Sequence, residues 1–164
     1  QKIKTIIDLG GFDKDPALDQ LASRTATALG VKRYVFELEG DGRGNPNAYV
    51  AALRVLSDPA NHPVLIHCSA GAQRTSACVV LYRHILQGKN FSDVFHEAYD
   101  HRHDPGDNRA MGPYLLDWAP EIERAYRDGG WIPGRPDFQR QLDGDAPALP
   151  VPAKPGAPVT PPAQ

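Results

Sequence analysis

Residues 62–82, HPVLIHCSAGAQRTSACVVLY, decide how this chain folds. A short apolar run ends at His67-Cys68, and a longer one starts at Thr75, with arginine six residues after the cysteine. The lengths and branching predict a strand over 64–67, a tight loop, and a buried helix over 75–87 that Gly88 closes. A loop curling over a helix N-terminus gathers unpaired backbone N–H groups and the positive end of the macrodipole, a cradle for a tetrahedral dianion. Gly71 permits the positive φ or close approach such a nest needs, and Ser69, Ala70 and Ala72 are too small to block it. Arg74 adds a planar fork able to bind two phosphate oxygens. Cys68 then lies at the floor of the cradle, where the positive surroundings favour the thiolate, a nucleophile suited to phosphoryl transfer.

Working outward, "IKTIIDL" (3–9) reads as a strand stopped by Gly10-Gly11. Residues 16–29 carry Leu18, Leu21, Ala22, Ala26 and Leu29 at helical spacing, with Asp15 as N-cap before Pro16 and Gly30 past the end. "VKRYVFELE" (31–39) reads as a strand leading into the loop "GDGRGNPN". A helix over 46–56 presents Tyr49, Val50, Leu53 and Leu56, and two more are expected over 92–101 and 112–126. Strands alternating with helices predict an α/β fold with a mainly parallel central sheet flanked by helices. Residues 145–164 hold seven prolines and almost no large apolar side chain. The expectation is therefore a domain over 1–133 and a Pro-rich disordered tail over 134–164. Spacings such as Pro147/Pro150 and Pro155/Pro158 would suit a polyproline-binding partner, although a plain flexible tail is the preferred reading.

The composition narrows the function. Eighteen basic and 20 acidic residues among 164 give a net charge of −2, so no global field attracts nucleic acid or an anionic membrane. No run approaches the ~20 apolar residues of a membrane span, and no signal-peptide pattern opens the chain. The first residue is Gln1, from which we expect an upstream segment to have been removed and an N-terminal portion of the domain to be lacking. Cys68 and Cys78 are the only cysteines, which excludes a disulfide-dense scaffold and a four-cysteine zinc site. Their separation across a loop and a helix disfavours a bridge, so a reducing, cytoplasmic location is the favoured expectation.

The string "HCSAG" followed by "RT" resembles, letter for letter, the HCxxGxxR[ST] signature of the cysteine-dependent protein tyrosine phosphatase superfamily. With "IKTIIDLGG" and the apolar helix after Arg74, residues 1–127 look like a small bacterial dual-specificity-type phosphatase. The resemblance implies that Cys68 attacks phosphorus to give a phosphocysteine, while Arg74 holds substrate and transition state. The backbone of Ser69, Ala70, Gly71, Ala72, Gln73 and Arg74 would bind phosphate oxygens. Thr75 would hydrogen-bond the Cys68 sulfur, and His67 would fix the loop from behind. No metal and no other cofactor is implied.

The family also takes a proton for the leaving group from an aspartate on a separate upstream loop. Asp41, 27 residues before Cys68 in "EGDGRGN", is the matching residue, and its glycine neighbours suit a mobile loop. The bland alternative is that Asp41 only forms a turn with Gly42. Asp58 stands too close to the incoming strand, and Asp104 and Asp107 in "HDPGDN" are held in reserve.

Relatives acting on phosphoinositides tend to carry basic residues inside this loop, whereas here Ser69 to Gln73 are uncharged. The favoured substrate is a phosphotyrosine or dual-specificity protein substrate or a small phosphoester, with a phosphoinositide as an alternative. Gln73 either positions the hydrolytic water or fills space. Ser76 stands where glycine is frequent, and Gly10 where arginine often stands. A catalytically weak phosphate-binding pseudophosphatase that recruits a partner through its tail is a second reading; intact Cys68 and Arg74 speak against it. Sulfur transfer or arsenate reduction is disfavoured by the single loop cysteine. His96, His101, His103 and Asp104 read as a solvated helix end, since "HEAYD" lacks the second histidine of a zinc protease motif. Trp118 and Trp131 read as packing for the last helix, and "GDGRG" lacks the strand-to-helix context of a dinucleotide site.

Overall fold

A computed structural model describes residues 2–11 and 15–144. The strands β1 (Thr5–Asp8), β2 (Lys32–Val35) and β3 (Val64–His67) form one parallel sheet in the order β2-β1-β3. Asp8 at the end of β1 pairs in register with Val35 and with His67. All three strands therefore finish at one edge, where a parallel α/β fold collects its functional loops. Cys68 follows β3 directly at that edge, and the chain leaving β2 runs on to Asp41.

Helix α1 (Pro16–Ala28) starts as expected, with Asp15 Oδ1 accepting from the N–H groups of Ala17 and Leu18 at 3.1 Å each. Its apolar stripe does not behave as its spacing suggests. Only Ala26 is buried, while Leu18, Leu21 and Leu29 are exposed. Helix α2 (Pro46–Ser57) is the opposite case, buried on almost every side through Tyr49, Val50, Leu53 and the alanines between them. Helix α3 (Gln73–Leu81) begins two residues before Thr75, widens into a π-helical turn over Tyr82–Leu86, and ends at Gly88 with φ +66°.

Helix α4 (Phe91–Asp100) is capped by Asn90, whose Oδ1 accepts from Ser92 N–H at 2.9 Å. Helix α5 (Met111–Arg127) buries Met111, Leu115, Ala119 and Ile122, one face at helical spacing. Ile7, Leu9 and Phe36 from the sheet region meet Tyr49, Leu53, Leu81, Met111, Leu115 and Ile122 in a single core. Each large apolar side chain so buried contributes about 2 kcal/mol, and together they fix α3, and with it the cysteine loop, against the sheet.

The C-terminal expectation needs correction. Composition puts the break at 133/134, yet residues 134–144 are packed on the domain and include the helix α6 (Gln139–Asp143). Buried Asn47 explains part of this, because its amide donates to the carbonyls of Ile132 and Pro136 at 3.2 and 3.1 Å and accepts from Ile132 N–H at 2.9 Å. Edge strand β2 explains the rest. Its Val35 N–H donates to Gln141 Oε1 at 3.0 Å, and Phe138 sets its ring edge-on to Phe36 at 5.4 Å. A proline-rich composition conceals that α2 and the sheet edge both need partners. The proline spacings over 147–158 lie outside the described residues.

Trp118 and Trp131 pack partly buried against the core, with Arg135 and Arg54 lying over their rings at 5.3 and 4.3 Å. Among the described residues, no helix is long and apolar enough to cross a membrane.

Candidate active site

Cys68 sits at the end of β3, at the base of the loop, and is 9% exposed. Gly71 has φ +68°, a left-handed conformation that L side chains rarely adopt, so the bend of the loop requires glycine there. Ala72 occupies the N-cap of α3 and makes no side-chain cap hydrogen bond. The first-turn N–H groups are thus not capped by that side chain, the local condition for binding an anion.

Burial by itself would push the Cys68 thiol up. The hydroxyl of Thr75, which donates to Sγ at 3.2 Å, the backbone N–H groups of Thr75 and Gly71, and the charge of Arg74 outweigh it, so the thiol titrates below its ordinary value. Cys78 provides the contrast. It is fully buried in α3 without such donors, and burial pushes its pKa up to about 12. Both cysteines are free thiols.

Arg74 leans back onto the turn after β1. A Cβ built on Gly10 would lie 2.1 Å from Arg74 Nη1 and 2.8 Å from Cζ, so the guanidinium occupies the space a side chain at position 10 would take. Arg74 Nε is buried with no hydrogen-bond partner among the described residues, a donor that a phosphate oxygen could satisfy. The Gly10-Gly11 turn beneath it is held by Asp8, whose Oδ1 accepts from both N–H groups at 3.2 and 2.9 Å. Asp8 Oδ2 meets Arg33 at 2.6 Å, and Arg33 also reaches Asp19 at 2.7 Å. Burial would raise the Asp8 pKa, but Arg33 and the two glycine N–H groups bring it below the usual carboxylate value. His67 stands between these groups, its Nδ1 3.4 Å from the Cys68 carbonyl oxygen and its Nε2 3.9 Å from Asp8 Oδ2.

The Asp41 loop is tethered rather than loose. Tyr49 donates its hydroxyl to the Gly42 carbonyl, Tyr114 donates to the Gly44 carbonyl at 3.0 Å, and Asn108 Nδ2 donates to the Asp41 carbonyl at 2.7 Å. Gly42, at φ +88°, lies against Ala77 of α3 and against Met111, which seats the loop over the helix that carries Arg74. Tyr49 lies near both loops, its phenol pushed up mainly by burial and further by charge on Cys78, Tyr114, Asp41 and Cys68. The Asp41 carboxylate is engaged by Arg43, from its N–H at 3.0 Å and its Nε at 2.7 Å.

Asp104 and Asp107 are exposed, and Asp104 Oδ1 accepts from Gly106 N–H at 2.7 Å. His103 corrects the reading of this segment as a solvated helix end, since it is 3% exposed and its Nδ1 hydrogen-bonds Gln73 Oε1. Asp8 and Asn108 are not singled out by the sequence pattern, and His103 enters it only as part of a solvated helix end. For Asp8 a signal existed in the unusual glycine at position 10, which is where Arg74 lies. Beside the cysteine loop a cleft of about 260 Å³ runs between α3 and α4, walled by Thr75, Val79, Val94 and Ala98, with the Arg83–Glu97 ion pair on its lining.

Comparisons with known proteins agree with this architecture. The family model described as DSP-PTPase phosphatase fused to NAD+ kinase matches residues 1–110, so the chain belongs to that family and is a phosphatase of the cysteine-dependent protein tyrosine phosphatase superfamily. Among solved structures it is similar to the core catalytic domain of the PP-IP phosphatase SIW14 from S. cerevisiae, with 25% identity and a TM-score of 0.56 over 80% of this chain and 77% of that one. TpbA from P. aeruginosa shares the fold at 22% identity and a TM-score of 0.59, over 77% of this chain and 74% of that one. Tk-PTP shares it at 17% identity and a TM-score of 0.61, over 75% of this chain and 81% of that one. No curated protein sequence matches the chain.

Proposed function

We propose that the chain hydrolyses phosphomonoesters through a phosphocysteine intermediate, favouring phosphotyrosine or dual-specificity protein substrates. The observation that carries this reading is the Thr75 hydroxyl directed at Cys68 Sγ over 3.2 Å, together with the lowered thiol pKa. A thiol kept as thiolate beside an uncapped helix start is a nucleophile aimed at a bound phosphate. The backbone of residues 69–74 and the Arg74 fork bind the equatorial oxygens, whose charge they stabilise as the leaving group departs.

In the first step Sγ forms a bond to phosphorus while the bond to the ester oxygen breaks, and Asp41 gives that oxygen its proton. In the second step water attacks phosphorus, Asp41 takes the water proton, and the S–P bond breaks to release inorganic phosphate and the thiolate. Thr75 stabilises the departing sulfur in that step by its hydrogen bond. Asp41 acts in the first step as the neutral acid, after its carboxyl group leaves Arg43, which holds it at 2.7 Å, and takes up a proton; the water proton gained in the second step restores that form. His67 acts behind the loop through the Cys68 carbonyl, and the catalytic unit extends through the packed residues up to 144.

The uncharged side chains of Ser69, Ala70, Ala72 and Gln73 support a substrate whose recognition rests on a single phosphate. A second reading, an inositol pyrophosphate as substrate, is favoured by the likeness to SIW14, a PP-IP phosphatase. Side-by-side turnover of phosphotyrosine peptides, phosphoserine peptides, phosphoinositides and an inositol pyrophosphate separates them. Highest kcat/KM on the peptides supports the protein substrate, and highest kcat/KM on the inositol compound overturns it. Loss of all turnover in Cys68→Ser tests the intermediate itself.

A further inference from the structure

The loop between α4 and α5 carries two buried polar side chains that reach two different elements of the site. His103 and Asn108 are 3% and 8% exposed, while the residues between them are exposed. The loop is held in shape by its own backbone. Arg102 takes φ +70°, His103 N–H donates to the Ala98 carbonyl at 3.1 Å, and Asn108 N–H donates to the Asp104 carbonyl at 2.9 Å. From this frame Asn108 Nδ2 donates to the Asp41 carbonyl at 2.7 Å, and His103 Nδ1 bonds Gln73 Oε1. Gln73 immediately precedes Arg74, so its side chain is a handle on the cysteine loop at the residue before the phosphate-binding fork.

We infer that this loop is a clasp in which His103, through Gln73, and Asn108, through the Asp41 backbone, position the cysteine loop and the aspartate loop relative to each other.

The chemistry of His103 supports a positioning role over simple packing. Its ring stands edge-on to Phe95 at 5.4 Å and tilted against Tyr99 at 5.6 Å, an apolar surround that a phenylalanine would fill without strain on polar groups. Instead the position holds an imidazole whose Nε2 is buried without a partner among the described residues. An amide oxygen only accepts, so Nδ1 carries the proton and Nε2 the lone pair in the neutral ring. Burial also lowers the His103 pKa, against the opposing pull of Asp104, which keeps the ring in that form. The polar nitrogen that is satisfied is the one that meets the cysteine loop.

Because the clasp rests on the phosphocysteine reading, its test must fail separately from that reading. Using an aryl phosphate, kcat and KM are measured for Gln73→Ala, His103→Phe, the double variant and His103→Asn, with Cys68→Ser as control and circular dichroism to confirm folding. The clasp predicts that each of the first two lowers kcat/KM about tenfold, that the double variant is no worse than the poorer single one, and that His103→Asn, which returns an N–H donor near Nδ1, recovers most of the loss. Multiplying losses in the double variant, or wild-type kinetics in His103→Phe, overturn it. If His103→Phe does not fold, His103→Leu takes its place, with the same tenfold loss expected and wild-type kinetics overturning the clasp. Asn108→Ala should lower kcat most for poor leaving groups, the pattern also expected of Asp41→Asn; an equal loss on all leaving groups overturns its part. Turnover surviving in Cys68→Ser would instead defeat the underlying phosphocysteine reading.

Discussion

Gly10 and Arg74 compete for one space, since a Cβ at position 10 would stand 2.1 Å from Arg74 Nη1. Gly10 does not occupy the left-handed region, so alanine there conflicts with the guanidinium and not with the backbone. Gly10→Ala is expected to displace the Arg74 fork and lower kcat/KM roughly 100-fold, the scale of removing one transition-state donor. The thermal midpoint should stay close to wild type, and steady-state kinetics beside a melting curve checks both.

Thr75 governs the titration of Cys68. The folded thiol pKa lies below its ordinary value, so thiolate is present at lower pH than for a free cysteine and activity rises as pH passes up through that lowered value. Thr75→Ala removes the 3.2 Å hydrogen bond to Sγ and should move this rise to higher pH. The rate of iodoacetamide alkylation against pH measures it directly. In the wild type only Cys68 should be labelled near neutral pH, because Cys78 is buried and titrates at about 12.

Asp8 ties the turn under Arg74 to the core, with its side chain and that of Arg33 only 4% and 5% exposed. Removing one partner of a buried pair leaves the other charge poorly compensated, so Asp8→Ala should cost about 3 kcal/mol, the lower end of the usual range because Asp19 still faces Arg33. The pH dependence has a definite sign. The folded pKa of Asp8 is below the unfolded one, so its contribution is complete above the unfolded value and is lost as pH falls through the folded value. Urea unfolding of wild type and Asp8→Asn between pH 7 and ~2 should show the difference shrinking toward acid.

The strands, the cysteine loop and the buried helix after it were legible because each follows from local pattern. The run at 64–67, the glycine at 71 and the helical length after Arg74 describe one structural unit. Less was legible where the cause is long-range. Nothing near His103 in sequence says that its ring meets Gln73, and Asp8 looks like the polar end of a strand until Arg33 is brought beside it. The packing of residues 134–144 is hidden for the same reason. Composition over 134–144 is loop-like, but Asn47 and the N–H of Val35 lie far upstream and supply the bonds that hold it.

That packing leads to its own expectation. Asn47 makes hydrogen bonds in both directions with the chain over 132–136, so Asn47→Leu strands the Ile132 N–H and the facing carbonyls in a buried setting. A loss of about 2 kcal/mol is expected, with protease cleavage after Gly130 appearing earlier than in wild type. Limited proteolysis followed by mass measurement reads it.

Cys68 is expected to carry the phosphoryl group during turnover. Rapid denaturing quench of the enzyme turning over an aryl phosphate, followed by peptide mass measurement, tests it most directly. One phosphate is expected on the peptide containing Cys68, with neither that adduct nor turnover in Cys68→Ser. Undiminished turnover by Cys68→Ser would contradict it.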